Sequence, residues 1–141
     1  RAARACGVPA LRNPFGPVHI SLVASRPRLW KRFSQVTVLN RLGKSFRKSV
    51  TDASMFAPDG TVGIVATGVM DIPLFESIVK SLPEGTWELV CHPGYNDAEL
   101  AGIRTRLRDS RAQELQLLTS SQAREILARS GVQLVSYRDL A

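Results

Sequence analysis

The tetrapeptide Cys91-His92-Pro93-Gly94 is the segment of this chain whose residue types best suit chemistry. It follows Thr86-Trp87-Glu88-Leu89-Val90, an alternating run rich in β-forming residues that predicts a half-buried strand. Folds of the α/β class place reactive groups at the carboxyl ends of their strands. Pro93 disfavours helical backbone at His92, and Gly94 permits a sharp turn. His92 is therefore a candidate catalytic imidazole. From spacing alone, a core histidine remains an open alternative.

Two further residues could contribute to a site. Arg12 opens an Arg-x-Pro-x-Gly run after a predicted strand, and its planar fork of donors could orient a carboxylate base. The alternative is a surface arginine beside an ordinary turn. His19 has no second ligand at helical or strand spacing, and the chain lacks HxxxH and HxH patterns. The sequence therefore predicts no self-sufficient metal site in this chain.

The elements that must position these residues alternate between strand and helix. We predict strands over 8–11, 61–66, 86–90 and 132–135, and helices over 27–48, 71–82, 96–118 and 120–131. Asp71 stands where a helix N-cap is expected, and the runs Asn96-Asp97-Ala98-Glu99 and Thr119-Ser120-Ser121-Gln122 have the form of capping boxes that open two further helices. Such alternation favours the α/β class, with parallel strands joined by covering helices. Four strands would form about half of a barrel or a partial open sheet.

Charge is distributed unevenly along the 141 residues. Residues 1–51 contain eleven Lys/Arg and no acid, whereas residues 52–141 contain eight Lys/Arg and twelve Asp/Glu. This asymmetry is typical either of an anionic partner such as nucleic acid or of a fold whose balancing half lies elsewhere. Residues 1–6 resemble the end of a helix, with Gly7 as its stop. We therefore expect 1–141 to be a single partial domain.

Basic residues also surround aromatic and acidic ones. Trp30 and Phe33 lie among arginines and lysines, a pattern that fits single-stranded nucleic acid or, as we favour, a helix docking its apolar stripe into a core. We expect a solvated face for the arginine-rich stretch with its neighbouring acids: Arg104, Arg106, Arg108 and Arg111, with Asp97, Glu99, Asp109 and Glu114 nearby. Cys6 and Cys91 lack metal or disulfide spacing, and neither a signal peptide nor a long apolar run is present, so we expect a cytoplasmic protein.

Three ordered blocks resemble the C-terminal half of the YdjC-like carbohydrate deacetylases, which include a chitooligosaccharide deacetylase and a hopanoid-biosynthesis-associated relative. The blocks are Trp87-Glu88-Leu89-Val90-Cys91-His92-Pro93-Gly94-Tyr95-Asn96-Asp97, Arg111-x-x-Glu114-Leu115-x-x-Leu118-Thr119-Ser120, and Gly131-Val132-x-Leu134-Val135-Ser136-Tyr137-Arg138-Asp139-Leu140. The opening segment around Arg12 is similar more loosely, and residues 17–60 are the least similar.

The resemblance implies a fold and an activity. The fold is the C-terminal part of a (β/α) barrel of the polysaccharide-deacetylase type. The activity is hydrolysis of an N-acetyl group on a sugar or oligosaccharide, dependent on a divalent metal such as Mg²⁺ or Zn²⁺. The family's metal ligands are an aspartate near the N-terminus and two histidines, one in a strand that would precede Arg1. None of these positions is present here, so the resemblance implies that this chain holds no metal and is inactive alone.

The resemblance also implies roles for named residues. In the family a metal-bound water attacks the amide carbonyl while an aspartate takes its proton. His92 corresponds to the acid that protonates the leaving amine or to a group that steadies the oxyanion. Arg12 is similar to the arginine that orients the base in the wider superfamily, whose third motif is also Arg-x-Pro-x-Gly. Tyr95 and Asp97 would shape the substrate cleft, or shape a loop without contributing chemistry.

Two other classes of function remain open at this stage. One is a basic nucleic-acid-binding module, which the acid-free first third suggests and which we do not favour. The other is a non-catalytic scaffold remnant of the same fold. The identity of the sugar and a homo-oligomeric state are also left open by the sequence.

Overall fold

Two short parallel strands, β1 (Gly60–Val62) and β2 (Trp87–Leu89), form the sheet in the computed structural model, which describes residues 2–140 apart from the side chain of Arg4. The connection between them contains α4 (Ile72–Lys80). Parallel strands require such a crossover, and the predicted strand–helix alternation is confirmed here. In register, the sheet pairs Gly60 with Trp87, Thr61 with Glu88 and Val62 with Leu89.

The remaining helices lie before and after this unit. They are α1 (Ala2–Ala5), α2 (Trp30–Leu39), α3 (Gly43–Asp52), α5 (Ala98–Ala101), α6 (Asp109–Thr119) and α7 (Ser121–Arg129). Short 3₁₀ turns occur at Ile20–Leu22, Pro27–Leu29 and Asn40–Leu42. The described residues therefore form a mixed α/β structure with parallel strands and covering helices, and residues 2–140 do not close into a barrel. None of the helices in this range is long and apolar enough to cross a membrane.

The predicted cap at Asp71 and the two helix starts predicted from capping boxes are confirmed, and in each a side chain satisfies a backbone amide that the first helical turn leaves free. The capping side chain of each capping-box run is its second residue. Asp71 accepts from the amide of Leu74 at 2.9 Å. Asp97 accepts from Leu100 at 3.0 Å, and the Ser120 hydroxyl accepts from Ala123 at 3.1 Å. Local sequence therefore determines where α4, α5 and α7 begin.

Two predicted strands are wrong, and a third is shorter than predicted. Residues 8–11 contribute only one parallel bridge, between Ala10 and Phe56, and residues 132–135 are not a strand. Leu134 is 76% exposed, because no neighbouring strand in the described range supplies backbone partners and a covering face. β1 ends at Val62 because Gly63, with φ of 89°, turns the backbone away from the sheet.

One predicted helix changes its winding and another is interrupted. The helix predicted over 27–48 keeps helical backbone but tightens into the 3₁₀ turn Asn40–Leu42, where the Asn40 side-chain amide donates to the carbonyl of Gly16 at 2.7 Å and accepts from its amide at 3.2 Å. The helix predicted over 96–118 breaks after Ala101, where the Arg108 guanidinium donates to the carbonyls of Ala101 and Ile103 at 3.0 Å. Helical periodicity cannot show these tertiary contacts.

The core lies between α4, α7 and the sheet. Its centre is Phe75, which is 1% exposed, and Ile126, which is 2% exposed. A second cluster holds Leu29 and Val36, and Phe33 packs against it. This packing supports core docking for the apolar stripe of α2, although Trp30 at its start is 47% exposed.

The Arg-x-Pro-x-Gly segment lies along the free edge of β1. The carbonyl of Phe15 accepts from the amide of Thr61 at 3.0 Å, and the carbonyl of Asn13 accepts from the Thr61 hydroxyl at 2.5 Å. Asn13, 2% exposed, donates its side-chain amide to the carbonyls of Pro58 and Asp59. A Cβ on Gly16 would overlap the carbonyl oxygen of Thr61. The motif's glycine is thus required by close backbone approach.

We predict that Gly16→Ala destabilises the protein, because the added methyl must displace the backbone of β1. The expected loss in free energy of unfolding is about 1–3 kcal/mol, measured by urea denaturation. The control is Gly102→Ala, where the nearest atom to the added carbon is the Glu99 carbonyl at an ordinary 3.6 Å. Equally small losses of stability in the two variants would contradict the close approach of Gly16 to the backbone of Thr61.

Candidate active site

The loops that follow the two strands are joined by one buried carboxylate, that of Glu114 on α6. One of its oxygens accepts from the backbone amide of Gly68, in the turn after β1, at 3.2 Å. The other accepts from the backbone amide of His92, after β2, at 2.5 Å. Glu114 is 1% exposed. Its side chain therefore fixes the two strand-end loops relative to each other.

This placement corrects the expectation of a solvated face at Glu114 and Arg111. Arg111 is half-buried, its Nε is enclosed without a hydrogen-bond partner among the described residues, and its carbonyl accepts from the amide of Gly94 at 3.2 Å. A sequence signal for Glu114 did exist: it lies three residues before Leu117, which is 6% exposed, and so shares the buried face of α6. Arg104 and Arg106 are exposed, as expected.

His92 lies at the strand end where the sequence places it. The residue is half-buried, so its ring is neither sealed in the core nor fully solvated. Its Nδ1 atom is buried and has no hydrogen-bond partner among residues 2–140. Buried polar atoms are rarely left unpaired, because an unmade hydrogen bond costs about 1–3 kcal/mol. Such an atom usually bonds to water or to a bound group.

Arg12 binds a carboxylate, as its motif suggests, and that carboxylate is Glu88 of β2. The Arg12 Nε lies 2.8 and 2.9 Å from the two Glu88 oxygens, and the Tyr137 hydroxyl donates to the same carboxylate at 2.9 Å. Hydrogen bonding and the charge of Glu88 raise the pKa of Arg12, while burial and the same carboxylate raise the pKa of the Tyr137 phenol. Within the described residues, no hydrogen bond joins Arg12 to His92.

Tyr95 and Asp97 occupy the segment that follows Gly94. Tyr95 is 77% exposed. Asp97 uses its carboxylate to cap α5, as described above, so it shapes this loop. The structure thus brings together His92, Glu114 and the backbone of Arg111, and it places Arg12 with Glu88 further back along β2.

Comparison with known proteins gives one match. A family model described as "YdjC-like protein" matches residues 1–129. The chain belongs to the YdjC-like family. This confirms the family drawn from the sequence blocks and extends the likeness through residues 17–60, whereas the third block, 131–140, lies outside the match. No curated protein and no solved structure matches significantly. Membership of the YdjC-like family suggests a carbohydrate deacetylase-type function.

The metal implied by the resemblance does not fit the described part of this YdjC-like chain alone. Within residues 2–140, no group of three or more His, Cys, Asp or Glu side chains could hold a metal ion. His19 is exposed and precedes the 3₁₀ turn Ile20–Leu22 without capping it. The buried Glu114 has both oxygens occupied by backbone amides. We therefore derive no chemical step through a metal from these residues.

Cys91 is partly buried and lies near two negatively charged side chains. Burial raises the pKa of its thiol, and the negative charges of Glu114 and Glu88 raise it further. A raised pKa lowers the fraction of thiolate at a given pH, and the thiolate is the reactive form. Cys91 is thus a poor nucleophile here, which leaves the imidazole of His92 as the neighbouring group suited to proton transfer.

We predict that Glu114→Gln lowers the free energy of unfolding by about 1–3 kcal/mol, because the amide group offers one oxygen to two buried N–H donors. The measurement is urea denaturation. The matched control is Glu125→Gln, an exposed residue of α7, which should change stability by less than about 0.5 kcal/mol. If both variants unfold at the same urea concentration, Glu114 does not hold the two loops.

We also predict that iodoacetamide alkylates Cys6 roughly tenfold faster than Cys91 at pH 8, because Cys6 is exposed and the thiol of Cys91 has a raised pKa. Mass spectrometry of peptides from a labelling time course measures the two rates. The rate at Cys91 should rise steeply with pH above 8. Equal rates at the two cysteines would show that Cys91 is not shielded.

Proposed function

We propose that this YdjC-like protein is a metal-dependent hydrolase that removes N-acetyl groups from a carbohydrate, with His92 as its general acid. The observation that carries the proposal is the His92 imidazole at the end of β2, half-buried with an unpartnered Nδ1. Family membership supports the reaction class. The parallel β1-α4-β2 unit supports the further proposal that these residues form part of a (β/α) barrel.

His92 would act on the leaving group. In amide hydrolysis, a water oxygen bonds to the acetyl carbon, the C–N bond breaks and acetate departs. An amine is a poor leaving group as an anion, so its nitrogen must gain a proton as the bond breaks. An imidazole held at the rim of the sheet can supply that proton. The backbone of His92 is fixed by Glu114, which limits the positions its ring can take.

Three other residues would have supporting roles. Arg12 would be a positioning residue that holds the carboxylate of Glu88 through a forked contact. Tyr95 and Asp97 would shape the entrance for the sugar, Tyr95 through its exposed ring and Asp97 by capping α5. The divalent metal of the proposal, Mg²⁺ or Zn²⁺, would need ligands beyond those that residues 2–140 bring together.

The proposal predicts that His92→Ala lowers kcat/KM for an N-acetylated oligosaccharide by about 10²–10⁴-fold, the usual contribution of a general acid. The assay measures acetate release by the full-length gene product with Mg²⁺ or Zn²⁺ added. His19→Ala, which removes an exposed histidine without a cap hydrogen bond, is the matched control and should retain full activity. Near-normal turnover in His92→Ala would exclude the acid role, whereas an inactive wild-type protein on every such sugar would exclude the reaction.

A further inference from the structure

The helical segment 30–42, which comprises α2 and the 3₁₀ turn after it, carries apolar side chains on two sides. Val36 is buried in the second core cluster. Val38 lies two positions further along α2, is exposed, and so points to nearly the opposite side. A helix that docks one apolar stripe into a core normally carries polar residues on its other face. The outward face of this segment departs from that pattern.

Four large apolar side chains of the outward face form what we call the apolar patch. They are Trp30, Val38, Leu39 and Leu42, each between 47% and 58% exposed. Leu42 follows Val38 by four residues and Leu39 by three, so these three aliphatic side chains are neighbours on the helix surface. Trp30 lies about two helical turns before Val38, in the same row of every fourth residue. Clustered apolar exposure, unlike a single exposed residue, marks an interaction surface.

Positive charges accompany the apolar patch and have no acidic neighbours in the sequence. Five exposed cations belong to this part of the chain: Arg28, Lys31, Arg41, Lys44 and Arg47. Within residues 2–140, none of the five takes part in a salt bridge. Residues 1–51 contain no Asp or Glu that could neutralise them. Arg41 adjoins the patch directly, three residues after Val38 and next to Leu42. The surface is therefore both apolar and cationic.

These two properties decide between the possible occupants of the surface. A second copy of the chain would bring two basic surfaces together, and like charges repel. Single-stranded nucleic acid stacks its bases on aromatic rings, but Trp30 alone supplies a ring to the patch, because Phe33 packs against the core. An anionic bilayer satisfies both properties. Apolar side chains enter its interfacial region, while Lys and Arg contact its headgroups.

We propose that the apolar patch and its neighbouring cations dock this protein on a membrane surface that contains anionic lipids. The four patch side chains enter the boundary between headgroups and acyl chains. Lys31 and Arg41 lay their aliphatic stems along the apolar boundary and extend their charged ends to the lipid phosphates. The segment lies on the bilayer without crossing it. Docking of this kind needs no catalysis, so it stands independently of the proposed reaction.

The first test measures how the full-length gene product partitions onto lipid vesicles in a flotation assay. Phosphatidylcholine vesicles with and without phosphatidylglycerol are compared at about 0.15 M salt. The patch variant combines Val38→Gln with Leu42→Gln. Its control combines Ile103→Gln with Leu134→Gln, which replaces two exposed apolar residues outside the patch. We expect the patch variant to bind anionic vesicles at least about tenfold more weakly than wild type, and the control to bind within about twofold of it.

The second test removes charge in place of apolar area. Lys31→Gln combined with Arg41→Gln removes two cations beside the patch. Arg124→Gln combined with Arg129→Gln removes the same charge from exposed positions on α7. We expect the first pair to weaken binding to anionic vesicles about tenfold and the second pair by less than about threefold. Far-UV circular dichroism that matches wild type shows that each variant is folded.

Several outcomes would overturn the inference. Equal binding of wild type to neutral and anionic vesicles would remove the role of the cations, and equal binding by the patch variant and its control would remove the role of the patch. Absence of wild-type binding to either kind of vesicle would show that something other than a bilayer covers this surface. In that case, binding to a single-stranded oligonucleotide that weakens in the patch variant would assign the surface to nucleic acid.

Discussion

The described structure depends most on the burial of the Glu114 carboxylate between two strand-end loops. A carboxylate removed from water costs several kcal/mol unless its oxygens accept hydrogen bonds. Glu114 meets this requirement with the backbone amides of Gly68 and His92. The same two hydrogen bonds satisfy the Glu114 carboxylate and join the two loops. Separation of the loops would therefore leave that carboxylate without these partners. The position of the candidate active site therefore derives from one side chain of α6.

Acidic side chains surround the end of β2. Burial and the charges of Glu114 and Glu88 raise the pKa of Cys91, while Arg12 and Tyr137 hydrogen-bond to Glu88, whose side chain is 14% exposed. Membership of the YdjC-like family suggests a carbohydrate deacetylase-type function.

The Arg-x-Pro-x-Gly motif at the edge of β1 has a structural explanation as well as the proposed functional one. The carbonyl of Asn13 accepts from the Thr61 hydroxyl, and the carbonyl of Gly16 accepts from the side-chain amide of Asn40. The close approach of the Thr61 carbonyl leaves no space for a larger residue at Gly16. Arg12, in the same motif, directs its guanidinium to the Glu88 carboxylate; the side chain of Arg12 is 62% exposed and that of Glu88 is 14% exposed. Because Arg12 lies largely in solvent, the ion pair contributes about 0–1 kcal/mol to stability.

The sequence by itself determined features that depend on neighbouring residues: the helix starts at Asp71 and at the runs 96–99 and 119–122, the crossover between β1 and β2, and the position of His92 at a strand end. Only the tertiary structure decided that Glu114 is buried, that the helix predicted over 96–118 breaks after Ala101, and that residues 132–135 form no strand. Helix caps are hydrogen bonds between residues that lie a few positions apart, and the alternating pattern of a strand is also local in the sequence. Burial of a charge and pairing of a strand require partners that are distant in the sequence and become neighbours only when the chain folds.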